Sequence, residues 1–202
     1  MLELKLGGLE WKKYIKRNQD QRFLSFKKRV HERDESTCKF CGFKAQRFMD
    51  VVNRDGNYSN NKINNLITAC PLCSQCNFVE YVGKSEFGGG TLIFLPEMTQ
   101  EQLNGLCHVL FCSITNTADF SQKAQNIYNA LRLRSKVVEK YLGEHTSSPS
   151  HLGQMLTDTP LENNAFIASE VLKSLRLLPS MSKFADQVEV WAKSALDLLN
   201  LD

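Results

Sequence analysis

Apolar positions recur at helical spacing over most of this chain. From Leu9 to about Arg33, Trp11, Tyr14 and Ile15 form one apolar edge and Phe23, Phe26 and Val30 another. Asp20 lies between them as a break or N-cap, which predicts two helices that are basic on their outer side. Ahead of them, Glu3 to Leu6 alternates and predicts a short strand before Gly7-Gly8. Phe48 to Asn53 reads as a strand, and Asp55–Asn61 (DGNYSNN) as a loop. A helix is expected from Cys73 or Ser74 to about Val82, then a Gly88-Gly89-Gly90 break and a strand over Thr91–Leu95.

The second half is more strongly helical. Thr99 followed by Gln102 is a capping box, opening a helix to about Ile114 with Leu103, Leu106, Leu110 and Ile114 on one face. A long helix is predicted from Phe120 to Leu142, with Ala124, Ile127, Leu131, Val138 and Tyr141 inward and Gly143 as its C-cap. Glu144–Pro160 reads as a linker. Two amphipathic helices, Leu161–Leu178 and Ser182–Leu199, are expected beyond it, broken at Pro179. Phe184, Val188, Trp191, Ala195 and Leu198 make a 3.6-period stripe, either a self-packed face or a docking surface. The expected organisation is a domain over residues 1–143, a linker over 144–160 and a helical segment over 161–202. The fold class is α+β, with a small hairpin and helix module between helical parts.

Composition adds the compartment and the charge. The 202 residues are 42% hydrophobic and 23% charged, which suits a folded globular protein and not a disordered one. No apolar run approaches the roughly 20 residues of a membrane span, and the N-terminus lacks the apolar core of a secretory signal. The expected location is therefore the cytosol. Net charge is +3 but uneven: residues 1–45 hold 12 Lys/Arg against 6 Asp/Glu, and residues 144–202 hold 4 against 8. The basic face suits nucleic acid, an acidic protein surface or plain solvent.

Cysteine carries the chemistry. Five of the seven cysteines fall between residues 38 and 76 in CxxC spacings. Cys38-Lys39-Phe40-Cys41-Gly42 is a zinc-knuckle string. Its two thiolates can reach one ion, with Gly42 supplying the left-handed residue that closes the turn. Cys70-Pro71-Leu72-Cys73 is the second pair, and Cys73-Ser74-Gln75-Cys76 is a competing register. The favoured set, Cys38, Cys41, Cys70 and Cys73, makes a closed four-thiolate site that selects Zn²⁺ and offers no vacant position for a substrate. Cys107 and Cys112 sit in an apolar helix and read as small buried hydrophobes. Of the histidines, His31 reads as surface and His108 as a core or boundary residue, while His145 and His151 lie in the linker segment.

Three strings, FKKRVHERDESTCKFCGF, FMDVVNRDGN and NNKINNLITACPLC, resemble the HNH endonuclease module over roughly residues 20–80. That family implies a zinc-clipped hairpin and helix. Arg33-Asp34, the CKFCG knuckle and Asn65 through Cys70 follow its pattern. The departures fall on its chemistry. The strand carries Val52 and Asn53 where a general base and a metal ligand belong, and Ser74 follows the second knuckle. Neither Val nor Asn can accept the proton of an attacking water. The resemblance thus implies the scaffold and no enzyme activity; the alternative is an HNH-related nuclease or nucleic-acid-binding protein.

The CKFCGF, DVVNRDGNYSNN and CPLCSQC strings, followed by helices, are also similar to a component of the Dot/Icm type IVB secretion coupling complex. That resemblance implies a non-enzymatic cytoplasmic adaptor in protein transport and virulence. It would bind the coupling ATPase and other coupling-complex subunits, help recruit effectors, and reach the inner membrane only through the complex. No nucleic-acid partner is expected from it.

Overall fold

A computed structural model describes residues 2–116, 120–158 and 170–199. The chain is α+β and divides into two compact units, Met1–Val79 and Glu80–Asp202.

The first unit opens with α1 (Leu9–Asn18) and α2 (Gln21–Arg33). Asp20 separates them as the α2 N-cap, its carboxylate accepting from the Arg22 amide at 2.8 Å. A knuckle and a loop follow, then β1 (Asp50–Asn53) pairs antiparallel with β2 (Leu66–Ala69), Val52 opposite Ile67. All four β2 side chains are buried, so this short strand is covered on both faces. Phe23 and Val30 of α2 close on Val51 and Leu66. Tyr14, Tyr58 and Phe78 form a second core, with Tyr14 and Tyr58 ring centroids 4.8 and 5.1 Å from that of Phe78. The segment before α1 lies alongside residues 76–79, Lys5 N–H donating to Cys76 O and Val79 N–H to Lys5 O. Those two bonds do not continue into a ladder, and the strand expected over Glu3–Leu6 is absent among the described residues. The helix expected from Cys73 to Val82 is also replaced. One α-turn, α3 (Pro71–Ser74), gives way to 3₁₀ turns, which carry Leu72, Cys73 and Cys76 inward together.

In the second unit, β3 (Gly90–Phe94) pairs antiparallel with β4 (Leu175–Pro179). Between them come α4 (Gln100–Thr115), α5 (Ser121–Leu133), α6 (Ser135–Leu142), α7 (Pro149–Asp158) and α8 (Glu170–Lys173). The last helix is α9 (Ala185–Leu199). The Thr99–Gln102 capping box is formed as expected, at 3.3 Å and 2.8 Å. Helix α4 packs against α5, α9 and β4.

Several expectations for this half are corrected. The single helix over residues 120–142 breaks at Arg134, which donates to Phe94 O and pairs with Glu97. Ile127 and Tyr141, expected inward, are 48% and 61% exposed, while Ala124 and Val138 are buried. The segment expected to be a linker holds α7, whose Leu152 and Gly153 are buried. A Cβ on Gly153 would lie 2.6 Å from Glu80 Cα, so close packing, not chain flexibility, explains its glycine. Of the helix expected over 161–178, residues 161–169 lie outside the described residues and Leu175–Pro179 is a strand. Its Leu175, Leu177 and Leu178 are buried under β3 pairing, a contact across more than 80 residues that helical spacing cannot show.

Candidate metal centre

The knuckle turn is set by its backbone. Cys38 N–H donates to Phe43 O at 2.8 Å and Gly42 N–H returns to Cys38 O at 3.0 Å, with Gly42 at φ 77. Lys39 N–H donates to Thr68 O at 2.9 Å and so docks the knuckle on β2. The second pair leaves the end of β2, where Cys73 and Ser74 N–H both return to Cys70 O. These two turns bring Cys38, Cys41, Cys70 and Cys73 together, their sulfurs all within 4.8 Å of one another and Cys41 to Cys70 at 3.7 Å. A tetrahedral ion with metal–sulfur bonds of about 2.3 Å needs sulfurs about 3.8 Å apart, so the donor set fits one ion.

The electrostatics favour a cation. Cys38, Cys70 and Cys73 are buried and Cys41 is partly exposed. In the metal-free protein burial pushes the Cys70 and Cys73 thiols well above their ordinary range. Cys41 thiol contact works to raise Cys38, but hydrogen bonds from Cys70 and Cys73 outweigh it and bring Cys38 down. Four thiolates in so small a volume are stable only around a positive ion. Cys76, the competing ligand, is buried apart from this cluster with its thiol directed to Leu72 O at 3.4 Å.

A second constellation occupies the far end of the hairpin. Arg17 of α1 is buried, and its guanidinium lies 4.4 Å from the Phe23 ring and 4.5 Å from the Tyr58 ring. It donates to Val51 O at 2.7 Å, to Asn61 Oδ1 at 3.2 Å and to Asn53 Oδ1. Burial lowers its pKa to about 10, which still leaves it charged at neutral pH. The Asn53 amide donates in turn to Asn57 O at 2.7 Å and Asn60 O at 2.8 Å. Asn65, Asp55 and Asn60 tie the rest of the loop by side-chain hydrogen bonds of 2.8–2.9 Å.

No family model matches the chain. It is, however, 50% identical over 187 residues to the type 4 apparatus protein DotN of Legionella pneumophila subsp. pneumophila strain Philadelphia 1, covering 93% of this chain and 87% of that protein. The chain belongs to the DotN family.

In this DotN-family chain the remaining residues singled out by sequence fall into structural positions. Ser74 donates to Asp50 Oδ2 at 2.7 Å, so the residue after the second knuckle fastens α3 to β1. Asp34 is buried. Burial alone would raise its pKa, but hydrogen bonds from Arg33 and the Thr68 amide hold it below the usual carboxylate range. His31 is corrected from surface to half-buried. Its Nδ1 lies 3.1 Å from Thr68 Oγ1, and burial, with Lys27 adding, lowers its pKa. His108 is buried against Trp191, ring centroids 5.3 Å apart, as expected of a core residue. His145 and His151 meet edge to face with ring centroids 6.2 Å apart, and neither belongs to the four-cysteine cluster. Cys107 is buried, and Cys112 is partly exposed where a buried residue was expected.

Sequence reading missed Arg17. Its only signal was position: three residues after Tyr14, it falls on the same helix face.

Proposed function

We propose that this chain is a non-enzymatic adaptor subunit of a type IVB secretion coupling complex. One Zn²⁺, held by Cys38, Cys41, Cys70 and Cys73, is its only cofactor and is structural. In this reading the chain binds the coupling ATPase and helps present effectors to it, lying in the cytoplasm and meeting the inner membrane only through the complex. The observation that carries the reading is the 50% identity to a protein named as a type 4 apparatus component. Two features support its non-enzymatic side. A four-sulfur donor set leaves no coordination position for substrate. Asn53, at the strand position where an HNH-like enzyme would keep its base, has its side-chain oxygen and its amide committed to Arg17 and the loop carbonyls. No helix among the described residues is long and apolar enough to cross a membrane, which accords with attachment through partners.

The test is co-purification of the tagged full chain with the coupling ATPase, alongside incubation of the pure protein with DNA and RNA in Mg²⁺, Mn²⁺ or Ni²⁺. Capture of the ATPase without cleavage supports the adaptor. Cleavage lost on substitution of Asn53 or Asn65, or no affinity for any coupling-complex subunit, overturns it in favour of the nuclease or nucleic-acid reading.

A further inference from the structure

Between the C-terminal half of α2 and the loop entering β1 lies a groove of about 670 Å³. Leu24, Phe48 and Met49 supply its apolar surface; Leu24 and Phe48 remain 38% and 39% exposed. Lys27, Lys28 and Lys44 stand around it together with Glu32 and Glu35, so the lining is cationic by one charge. Phe48 sits at φ 63, a left-handed conformation that costs a bulky residue energy and that Gly would adopt freely. A strained backbone that holds a large apolar ring half in solvent is the kind of feature retained at binding clamps.

Charge decides what such a groove takes. Two of the lysines form exposed pairs, Lys28 with Glu32 at 4.0 Å and Lys44 with Glu35 at 3.3 Å. Such pairs are weak and exchangeable with an incoming carboxylate. Lys27 is tied to Asp50 on β1 in a less exposed pair at 3.5 Å. Arg47, outside the lining, covers the Phe48 ring at 5.3 Å. The whole unit carries 15 Lys/Arg against 8 Asp/Glu, whereas residues 80–202 carry 10 against 14. A volume of this size accepts one large apolar side chain with its flanking backbone.

We propose that this groove docks an acidic segment of another protein, seating one aromatic or leucine side chain against Leu24 and Phe48 with carboxylates on Lys28 and Lys44. The proposal rests on the reading of the chain as a binding subunit and assigns that reading a surface and a ligand chemistry.

The experiment is selection of a displayed random peptide library on the full zinc-loaded chain, followed by fluorescence anisotropy with the enriched peptides. Enriched peptides are expected to be net acidic with one large apolar residue, and to bind about tenfold more weakly to Lys28→Glu/Lys44→Glu. Phe48→Gly separates binding from folding. It relieves the φ 63 conformation, so the melting temperature is held or raised while peptide affinity falls about tenfold or more. Neutral or basic enriched peptides, displacement by an oligonucleotide at equal affinity, no enrichment, or affinity unchanged in both variants would overturn the proposal. If ATPase capture fails while acidic peptides still bind through Phe48, the adaptor reading fails and the groove stands. If capture persists while the wild type enriches no acidic peptide, or while both variants bind the peptides as well as the wild type, the groove fails alone.

Discussion

Asn53 accepts a hydrogen bond from the buried guanidinium of Arg17 and so joins the first helix of the chain to the end of the first strand. Through its amide it also satisfies the carbonyls of Asn57 and Asn60, which fixes the loop between the two strands. Asn53→Ala would leave a buried cation and two carbonyls short of partners. The expected loss is about 2–4 kcal/mol of unfolding free energy, read by urea denaturation. Asn53→Asp keeps the acceptor but loses both amide donors, and is expected to fall between the wild type and Asn53→Ala. An Ala variant as stable as wild type would show that the network is not what orders the loop.

The metal centre makes a sharper prediction about register. Elemental analysis of purified protein is expected to give one zinc per chain, lost in Cys38→Ser, Cys41→Ser, Cys70→Ser and Cys73→Ser. Because metal binding here is folding energy, chelation should unfold the first unit. Cys76→Ser should keep its zinc, since that thiol points to Leu72 O and a hydroxyl can make the same bond. Zinc retained in Cys70→Ser but lost in Cys76→Ser would reverse the ligand assignment.

Local signals in the sequence were read correctly where the cause was local. The Asp20 cap and the Thr99–Gln102 box each lie within a few residues of their partners, and the two CxxC turns do bring their four cysteines together. Features made by distant residues were not legible. Nothing in the spacing of Leu175–Pro179 distinguishes a strand covered by Gly90–Phe94 from a helix. Ile127 and Tyr141 sit at helical spacing, yet each is exposed three residues from a buried position of its own helix, Ala124 in α5 and Val138 in α6. Arg17 looked like one more cation on a basic helix; only the placement of Asn53, Val51 and Tyr58 around it makes it a core residue.

His31 sets a pH dependence with a definite sign. Burial and Lys27 lower its pKa in the folded protein relative to the unfolded value of about 6.5. The unfolded chain therefore binds the proton more readily. The stability that depends on neutral His31 is complete above about pH 6.5 and is lost as pH falls below it. His31→Gln should have a flatter melting temperature between pH 7.5 and 5.5 than wild type. The corresponding loss at Asp34, whose folded pKa is also lowered, falls in a separate window below about pH 4. Equal slopes for the two proteins would remove His31 as the titrating group.

Trp191 decides between the two uses of the C-terminal stripe. In the structure it is 9% exposed, its ring packs on His108 of α4, and Phe184, Val188 and Ala192 are buried beside it. Asn116 at the end of α4 donates to Ala192 O at 3.2 Å, which holds the two helices at a second point. This is self-packing, and Leu198 falls among residues whose side chains are not described. Trp191→Asp would lose a large apolar contact and place a carboxylate in a buried site shaped for a ring. The expected cost is about 4 kcal/mol or more, seen as a lower melting temperature of the isolated protein. Trp191→Phe should recover most of it, because the ring still fills the site against α4. If Trp191→Asp kept wild-type stability and lost only partner binding, α9 would be a docking helix and its packing on α4 dispensable.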